Sequence, residues 1–367
     1  MRSKLRVLPY VVLLLPLDSL VTLGIVVSSI CASVTLWFKR HEGRKAQRLG
    51  AKATILIVNW DGRHLLAECL PSVIEAVEHA GGCHEILVVD NGSTDGSVEF
   101  IRDAFPSVRV LPLDRNYGFS GGNNRGIAQA KTDIVVLLNN DMIVDRDFLQ
   151  PLLTGFSDPS VFAVTSQIFF QDSTRRREET GKTRARWERG FFYLWHDEIN
   201  GTDESRATLP VFWAGGGSCA IDRGKFLAIG GFDRLYEPFY LEDTDLSYQG
   251  WKRGWKSLLA PESRVIHKHR STSETKFGSA FVNNTIRKNQ YLFVWKNVTD
   301  TRMILAHLWN LPRIHGRLMA FDDRETFELR AYARAVRQLG QAMRKRIANR
   351  NHYLISDEQV LVHSQES

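Results

Sequence analysis

Cysteine is scarce. Cys31, Cys69, Cys83 and Cys219 are the four in 367 residues, widely scattered, with no C-x-x-C pair and no zinc-ligand spacing. That argues against a disulfide framework or a structural zinc site, and it suits a reducing compartment. Also missing is any G-x-x-x-x-G-K-[ST] segment, so there is no P-loop. The glycines at 118, 121, 122 and 126 do not follow the G-x-G-x-x-G order after a first strand, which speaks against a dehydrogenase. Hydrophobic residues make up 43% of the chain, which excludes a disordered protein.

Charge is nearly absent from one long stretch. From Val7 to Phe38 the only charged residue is Asp18, and Ser19 to Phe38 is uncharged throughout, ending in Trp37 and Phe38 before Lys39 and Arg40. About 20 helical residues cross a hydrocarbon core of roughly 30 Å, so one membrane span is expected. Arg2, Lys4 and Arg6 would also suit a cleaved leader, but the apolar stretch is long, no good small-x-small site precedes its end, and an interfacial aromatic pair with a basic stop follows. Pro16 and Asp18 disfavour Val7 to Leu17 as lipid-facing helix. Arg44, Lys45, Arg48 and Lys52 extend the basic run and place the following domain in the cytoplasm by the positive-inside bias. The net charge of +7 suits anionic lipid, nucleic acid or phosphorylated ligands alike.

Beyond residue 51, short β-rich runs alternate with helical periodicity. Thr54–Asn59, Glu85–Asp90, Val108–Leu113 and Ile134–Leu138 read as strands; Leu65–Val77, the stretch after Ser97 and Gly118–Gln129 read as helices. This pattern predicts an α/β fold with a mostly parallel sheet and right-handed crossovers. Strands ending in Asn59, Asp90 and the Asn139-Asn140-Asp141 cluster would deliver polar groups to the carboxyl edge, where open α/β sheets bind ligands. Such a rim can seat a nucleotide, with Asp90 accepting from a base or ribose and Asp141 ligating a hard divalent cation. Asn and Asp also end strands for purely local reasons.

Three acids, Glu242, Asp243 and Asp245, fall within four residues and cannot share one face; one or two can serve a cleft as a base, while a helix start accounts for at least one. His267 and His269 would share a face of an extended segment. Asp172–Leu209, with Arg175–Arg177 and the aromatic run Phe191–Trp195, reads as either a flap over the site or a solvated insertion.

Taken in order, TILIVNW, EILVVDNGSTDGS, RNYGFSGGNNRGI, VVLLNNDMIV, WAGGGSCAIDRGKFLAIGGFDRLYEPFYLEDTDLSYQGWKRGW and VIHKHRSTS resemble the blocks of family 2 glycosyltransferases, especially rhamnosyltransferase-like members that build bacterial surface polysaccharides. The resemblance covers about Lys52 to Thr275 and implies a GT-A type nucleotide-binding domain and an inverting displacement. The implied partners are a nucleotide sugar (dTDP- or UDP-linked, rhamnose among the sugars), a lipid-linked or glycan acceptor, and Mg2+ or Mn2+. It further implies Asp90 as the base-recognising acid, with Asn59, Asn91, Asn116, Gly118, Asn124 and Asn140 around the nucleotide sugar. Asp141 matches the last acid of D-x-D, and His267 stands where some relatives supply a further metal ligand. Asp243 of the ED pair is the implied base and Glu242 orients the acceptor, with Trp213 and Gly216 on the acceptor side. Two positions depart from the pattern: Asn139 replaces the first D-x-D acid, and Gln249 stands where arginine is usual. No Q-x-x-R-W motif occurs, which favours single addition over processive synthesis.

After the catalytic block, Tyr291–Trp295 and Met303–Trp309 are aromatic but short, as interfacial segments are. Tyr332, Val336, Leu339, Met343 and Ile347 recur at helical spacing among arginines, a basic amphipathic pattern that fits either a lipid surface or packing on the domain. The expected organisation is an anchor and basic linker (1–50), a GT-A domain (51–275), a helical membrane-proximal region (276–350) and a loose tail (351–367). The expected location is the cytoplasmic membrane. A sugar-phosphate nucleotidyltransferase or a catalytically silent membrane scaffold would share parts of this pattern. Basic residues do not interleave with aromatics on the rim, which argues against nucleic acid.

Overall fold

A computed structural model describes residues 14–38, 52–171, 180–268, 277–318 and 323–366. Val7 to Leu13, most of the basic linker, Arg175–Arg177 and His269 lie outside the described residues.

Helix α1 (Leu15–Phe38) precedes the sheet domain. Among the described residues, its Leu15–Ala32 segment alone is long and apolar enough to cross a membrane, by length and composition. There follow β1 (Ala53–Asn59), α2 (Arg63–Ala80), β2 (Glu85–Asp90), α3 (Ser97–Ala104), β3 (Arg109–Pro112), α4 (Gly118–Gln129) and β4 (Ile134–Asn139). Next come β5 (Met142–Val144), α5 (Leu149–Thr154), β6 (Val161–Phe170), the hairpin β7 (Thr183–Glu188) and β8 (Phe191–His196), α6 (Gly201–Glu204) and β9 (Leu209–Pro210). The domain closes with β10 (Ser218–Asp222), α7 (Arg223–Ile229), α8 (Glu242–Lys252) and β11 (Lys256–His267). Helices α9 (Ser279–Asn297), α10 (Thr301–Leu318), α11 (Asp323–Arg337), α12 (Leu339–Arg350) and α13 (Asp357–His363) complete the chain.

The main sheet runs β3-β2-β1-β4-β10-β6-β11-β5, with β9 paired to β11. Strands β1 to β4 are mutually parallel, whereas β10 runs antiparallel to β4 and β6. The parallel half follows from its residues. A strand covered on both faces must be apolar at successive positions, and alternate side chains of β1 divide as that requires. Ile55 and Ile57 join Leu66, Leu70 and Val136 in one core layer, while Leu56 joins Leu87, Ile127 and Leu137 in the other. Register then puts Asn59 opposite Asp90 and Val58 opposite Asn139, so the polar strand ends share one rim as expected.

A third core lies among the C-terminal helices and changes several expectations. The β7–β8 hairpin is no solvated insertion, because Phe191 and Phe192 are buried against Tyr291, Phe293 and Tyr248. Tyr291–Trp295 is wholly buried rather than interfacial. The expected helix across residues 330–347 is divided at Gln338 into α11 and α12, and Tyr332, Leu339 and Met343 point into this core. Residues 351–366, expected as part of a loose tail, are packed on the domain. Asp357 at the start of α13 is fully buried and accepts from Tyr248 Oη (2.5 Å), Lys252 Nζ (2.6 Å) and the backbone N–H groups of Thr299 and Asp300.

Candidate functional site

The rim is a network of amides. Asn59 Nδ2 donates to Asp90 Oδ1 (3.3 Å) and to Ser97 Oγ (3.0 Å), and its Oδ1 accepts from Asn140 Nδ2 (2.8 Å). The backbone N–H of Ser93 donates to Asp90 Oδ2 at 3.0 Å, which pins the Asn91–Gly96 turn over the end of β2. Asn91 in turn holds the next loop: Nδ2 donates to Asn116 Oδ1 and Gly118 O, and Oδ1 accepts from Tyr117 N–H. Three strand ends are therefore joined by side chains of the right length to bridge them. Asn124 has a different task. Its amide both donates to and accepts from the backbone of Phe232, tying α4 to the Gly230–Phe232 turn.

Beside this rim, His267 Nε2 lies 3.1 Å from Asp141 Oδ2. The register that pairs His267 with Met142 across β11 and β5 makes this contact, which joins positions 126 residues apart. The other oxygen of Asp141, Oδ1, is buried with no hydrogen-bond partner. An orphaned carboxylate oxygen beside an imidazole suits a divalent cation, since burial without a partner is otherwise costly. Among the described residues no group of three or more His, Cys, Asp or Glu side chains gathers around a common point, so these two would supply the protein's share of ligands.

The three acids separate as helical geometry demands. Asp245 turns inward, accepting from Tyr236 Oη (2.8 Å), Asn297 Nδ2 (2.7 Å) and Lys296 Nζ (2.6 Å). It is a structural ion pair. Asp243 faces the loop Gly215–Gly217: Gly216 N–H donates to its Oδ2 at 3.2 Å, and Thr244 N–H to its Oδ1 at 2.6 Å. Asp243 keeps partial contact with solvent, whereas Glu242 is buried with Oε2 unpartnered. Loss of hydration pushes Glu242 up to about 8, helped by the neighbouring Asp243 charge. The same cause raises Asp243 above its ordinary value, against smaller opposing hydrogen bonds from Gly216 and Thr244.

The loop Gly215–Gly217 connects the two halves of this site. Gly217 O accepts from Asn139 N–H (2.8 Å) at the end of β4, one residue after Gly216, which would collide with Phe119 if it carried a Cβ. Trp213 is held behind the loop, exchanging hydrogen bonds with Thr183 and packing its ring on His196. Neither nearby thiol is a nucleophile. Burial, with Asp141 adding, pushes Cys69 up to about 12, and burial beside Asp243 likewise raises Cys219.

Sequence reasoning missed Asn289. Its Nδ2 lies within 3.0 Å of the carbonyls of Tyr236, Phe239 and Tyr240 and donates to that turn. Tyr240 and Leu241 both adopt left-handed backbone, φ 71° and 70°, immediately before Glu242. Such strain persists only where surroundings enforce it, and Asn289 supplies that constraint. The available signal was the group of polar residues Asn284, Lys288 and Asn289 just ahead of the aromatic segment Tyr291–Trp295. Gln249, the departure from arginine, bonds Asn297, Tyr353 and Arg253 and so faces the C-terminal helices.

Residues 54–221 match the model for glycosyl transferase family 2. An N-acetylglucosaminyl-diphospho-decaprenol L-rhamnosyltransferase of Mycobacterium tuberculosis is 29% identical over 202 residues, covering 50% of this chain and 66% of the relative, just under two thirds. Human polypeptide N-acetylgalactosaminyltransferase 16 is 24% identical over 251 residues, covering 65% of this chain and 44% of the relative. Among solved structures, GalNAc-T7 with UDP, GalNAc and Mn2+ superposes with a TM-score of 0.55 at 19% identity, covering 79% of this chain and 56% of that one. Staphylococcus aureus TarS 1–349 gives 0.51 at 12% identity, covering 82% and 89%. These two likenesses establish the fold as GT-A type. The GT-A fold and the match over 54–221 agree: residues 54–221 match glycosyl transferase family 2, and this part of the chain is similar to the mycobacterial rhamnosyltransferase.

Proposed function

We propose that the protein is an inverting glycosyltransferase that moves a sugar from a dTDP- or UDP-linked donor to a hydroxyl of a lipid-linked or surface-glycan acceptor. The observation that carries this reading is the Gly215–Gly217 loop, hydrogen-bonded at Gly217 to the strand that leads to Asp141 and at Gly216 to Asp243. The loop thus links the end of the strand before Asp141, a carboxylate suited to a cation, to Asp243, a carboxylate of raised pKa, which supports a shared pocket. The mycobacterial relative, whose name gives a lipid-linked acceptor, supports an acceptor of that class.

In this reading Asp90, Asn91 and the Asn116–Gly118 loop take the nucleoside, and Asn59 and Asn140 hold the rim in shape. Asp141 and His267 would hold Mg2+ or Mn2+, which, when bound, neutralises charge on the departing diphosphate. Asp243 removes the proton of the acceptor hydroxyl as that oxygen attacks the anomeric carbon opposite the leaving group, so configuration inverts. The raised pKa of Asp243 suits this task, because a stronger base is a better proton acceptor provided it is ionised at working pH. Glu242, kept neutral, can donate a hydrogen bond to the acceptor, and Trp213 backs the wall it rests on. Membrane attachment through α1 would bring the catalytic domain to a lipid-linked acceptor on the cytoplasmic side.

The test is nucleotide release by the full chain from dTDP-, UDP- and GDP-sugars, with and without acceptor. Acceptor-dependent release that Asp243→Asn abolishes while nucleotide binding survives is the expected result. Transfer of the nucleotide itself to a sugar phosphate, or release indifferent to Asp243→Asn, would overturn the reading.

A further inference from the structure

Helix α1 looks in the sequence like a solitary span, but it is not solitary. One stripe, Leu14, Asp18, Val21, Ile25, Ser28 and Ala32, is buried. That stripe runs roughly 27 Å along the helix at ~1.5 Å per residue. At its start Asp18 accepts from Tyr332 Oη (2.6 Å) on α11 and pairs with His315 Nδ1 (3.0 Å) on α10. Toward its end Ser28 Oγ reaches Met343 Sδ (3.3 Å), and Arg346 Nη2 donates to Ser29 Oγ (3.2 Å), both from α12.

Helix α12 cannot follow α1 into hydrocarbon. It carries Arg344, Lys345, Arg346 and Arg350, Lys345 pairs with Asp233 of the catalytic domain (3.0 Å), and Arg346 also caps the carbonyls of Trp295 and Val298. A helix bound along its length to such a neighbour has no bilayer around it, since each intramembrane charge costs several kcal/mol. Yet its opposite face, including Leu15, Leu20, Leu23, Val26 and Ile30, is large, apolar and exposed. An open apolar groove lies where the two helices meet, lined by Leu20, Leu23 and Val27 on one side and Leu339, Gly340 and Ile347 on the other. The exposed Arg344 shares a helical face with Gly340 and Ile347, which sets a cation at the edge of that groove.

We propose that α1 does not cross the bilayer but lies in the plane of one leaflet, as the lipid-facing edge of the C-terminal helical bundle. Its outer face rests among acyl chains of anionic phospholipid, and Arg344 meets the phosphates. Apolar surface flanked by cations is the chemistry that anionic interfaces select. The proposal rests on the reading of the chain as a membrane-attached transferase and specifies how it is attached.

The experiment uses the full chain with Cys31 and Cys83 replaced by serine. A bimane label goes singly on cysteine substituted for Leu15, Leu23, Ile30 or the buried Val21, in vesicles of phosphatidylcholine and phosphatidylglycerol containing lipids brominated at different depths. The in-plane helix gives the same shallow depth at the three outer positions and little quenching at Val21. A deep Leu23 with Leu15 and Ile30 near opposite surfaces means a spanning helix and overturns the proposal. No quenching anywhere overturns it together with membrane attachment, while transfer to a water-soluble acceptor, measured in parallel, shows whether the transferase reading stands. Independently, Arg344→Glu lowers affinity for these vesicles by about tenfold and leaves soluble-acceptor transfer unchanged; unaltered affinity counts against the proposal.

Discussion

The backbone N–H of Gly216 donates to Asp243 Oδ2 at 3.2 Å, and a Cβ on Gly216 would sit 2.8 Å from Phe119 Cζ. The loop can therefore orient Asp243 only because position 216 has no side chain. Gly216→Ala should push the loop or the Phe119 ring aside and misdirect Asp243, lowering kcat by roughly tenfold to a hundredfold while the fold persists. Steady-state kinetics alongside circular dichroism check this; an unchanged kcat would show that the contact does not orient the base.

Asp243 should also leave its mark on the pH profile. Burial raises its pKa, and a base works only when ionised, so kcat/KM falls as pH drops through that raised value. The acid limb should stand above the ~3.9 of an ordinary aspartate, with apparent values that belong to the Glu242–Asp243 pair jointly. A limb at the ordinary position would remove Asp243 from the role of base.

Glu242 makes a separate prediction about stability. Its pKa is raised to about 8 in the folded chain, against ~4.3 when unfolded. The stability tied to its neutral form is thus complete below ~4.3 and is lost as pH rises through about 8. Glu242→Gln does not titrate, so its Tm relative to wild type should climb across that interval. A constant Tm difference from pH 5 to 8 would contradict a buried neutral Glu242.

Asp141 and His267, 3.1 Å apart, should act together on a cation. Chelation of divalent metal should suppress nucleotide release, and His267→Gln should raise the Mn2+ concentration needed to restore it. Asp141→Asn should leave release low at any Mn2+ concentration. Metal titrations of the three proteins decide; identical curves would detach His267 from the site.

Asp357, fully buried, neutralises Lys252 Nζ at 2.6 Å. Asp357→Ala strands a buried ammonium and should cost about 3–5 kcal/mol. Urea unfolding measures it, and a double replacement with Lys252→Met should recover part of the loss.

How far the residues announced these arrangements depended on the range of the interactions involved. Strands β1, β2 and β4 were legible because burial on both faces leaves an unbroken apolar run, and α4 because its glycine-rich start and spacing are local. The rim of Asn59, Asp90 and Asn140 followed from where those strands end. Asp245 was not separable from Asp243 by sequence, because its partner Lys296 is 51 positions away. Asn289 and Asp357 likewise act on backbone 49 or more residues distant. By sequence the aromatic run at Phe191 fits a flap or an insertion equally, because its burial depends on α9 and α10, which nothing local specifies.

The back of α8 shares its core with those later helices: Tyr248 and Trp251 are buried there, and Gln249 bonds both Asn297 and Tyr353. A fragment that stops at residue 275 would thus lay bare the rear of the very helix that presents Glu242 and Asp243. It would be expected to precipitate or turn over no donor, however intact its nucleotide pocket, so the protein is to be produced whole if its chemistry is to be seen.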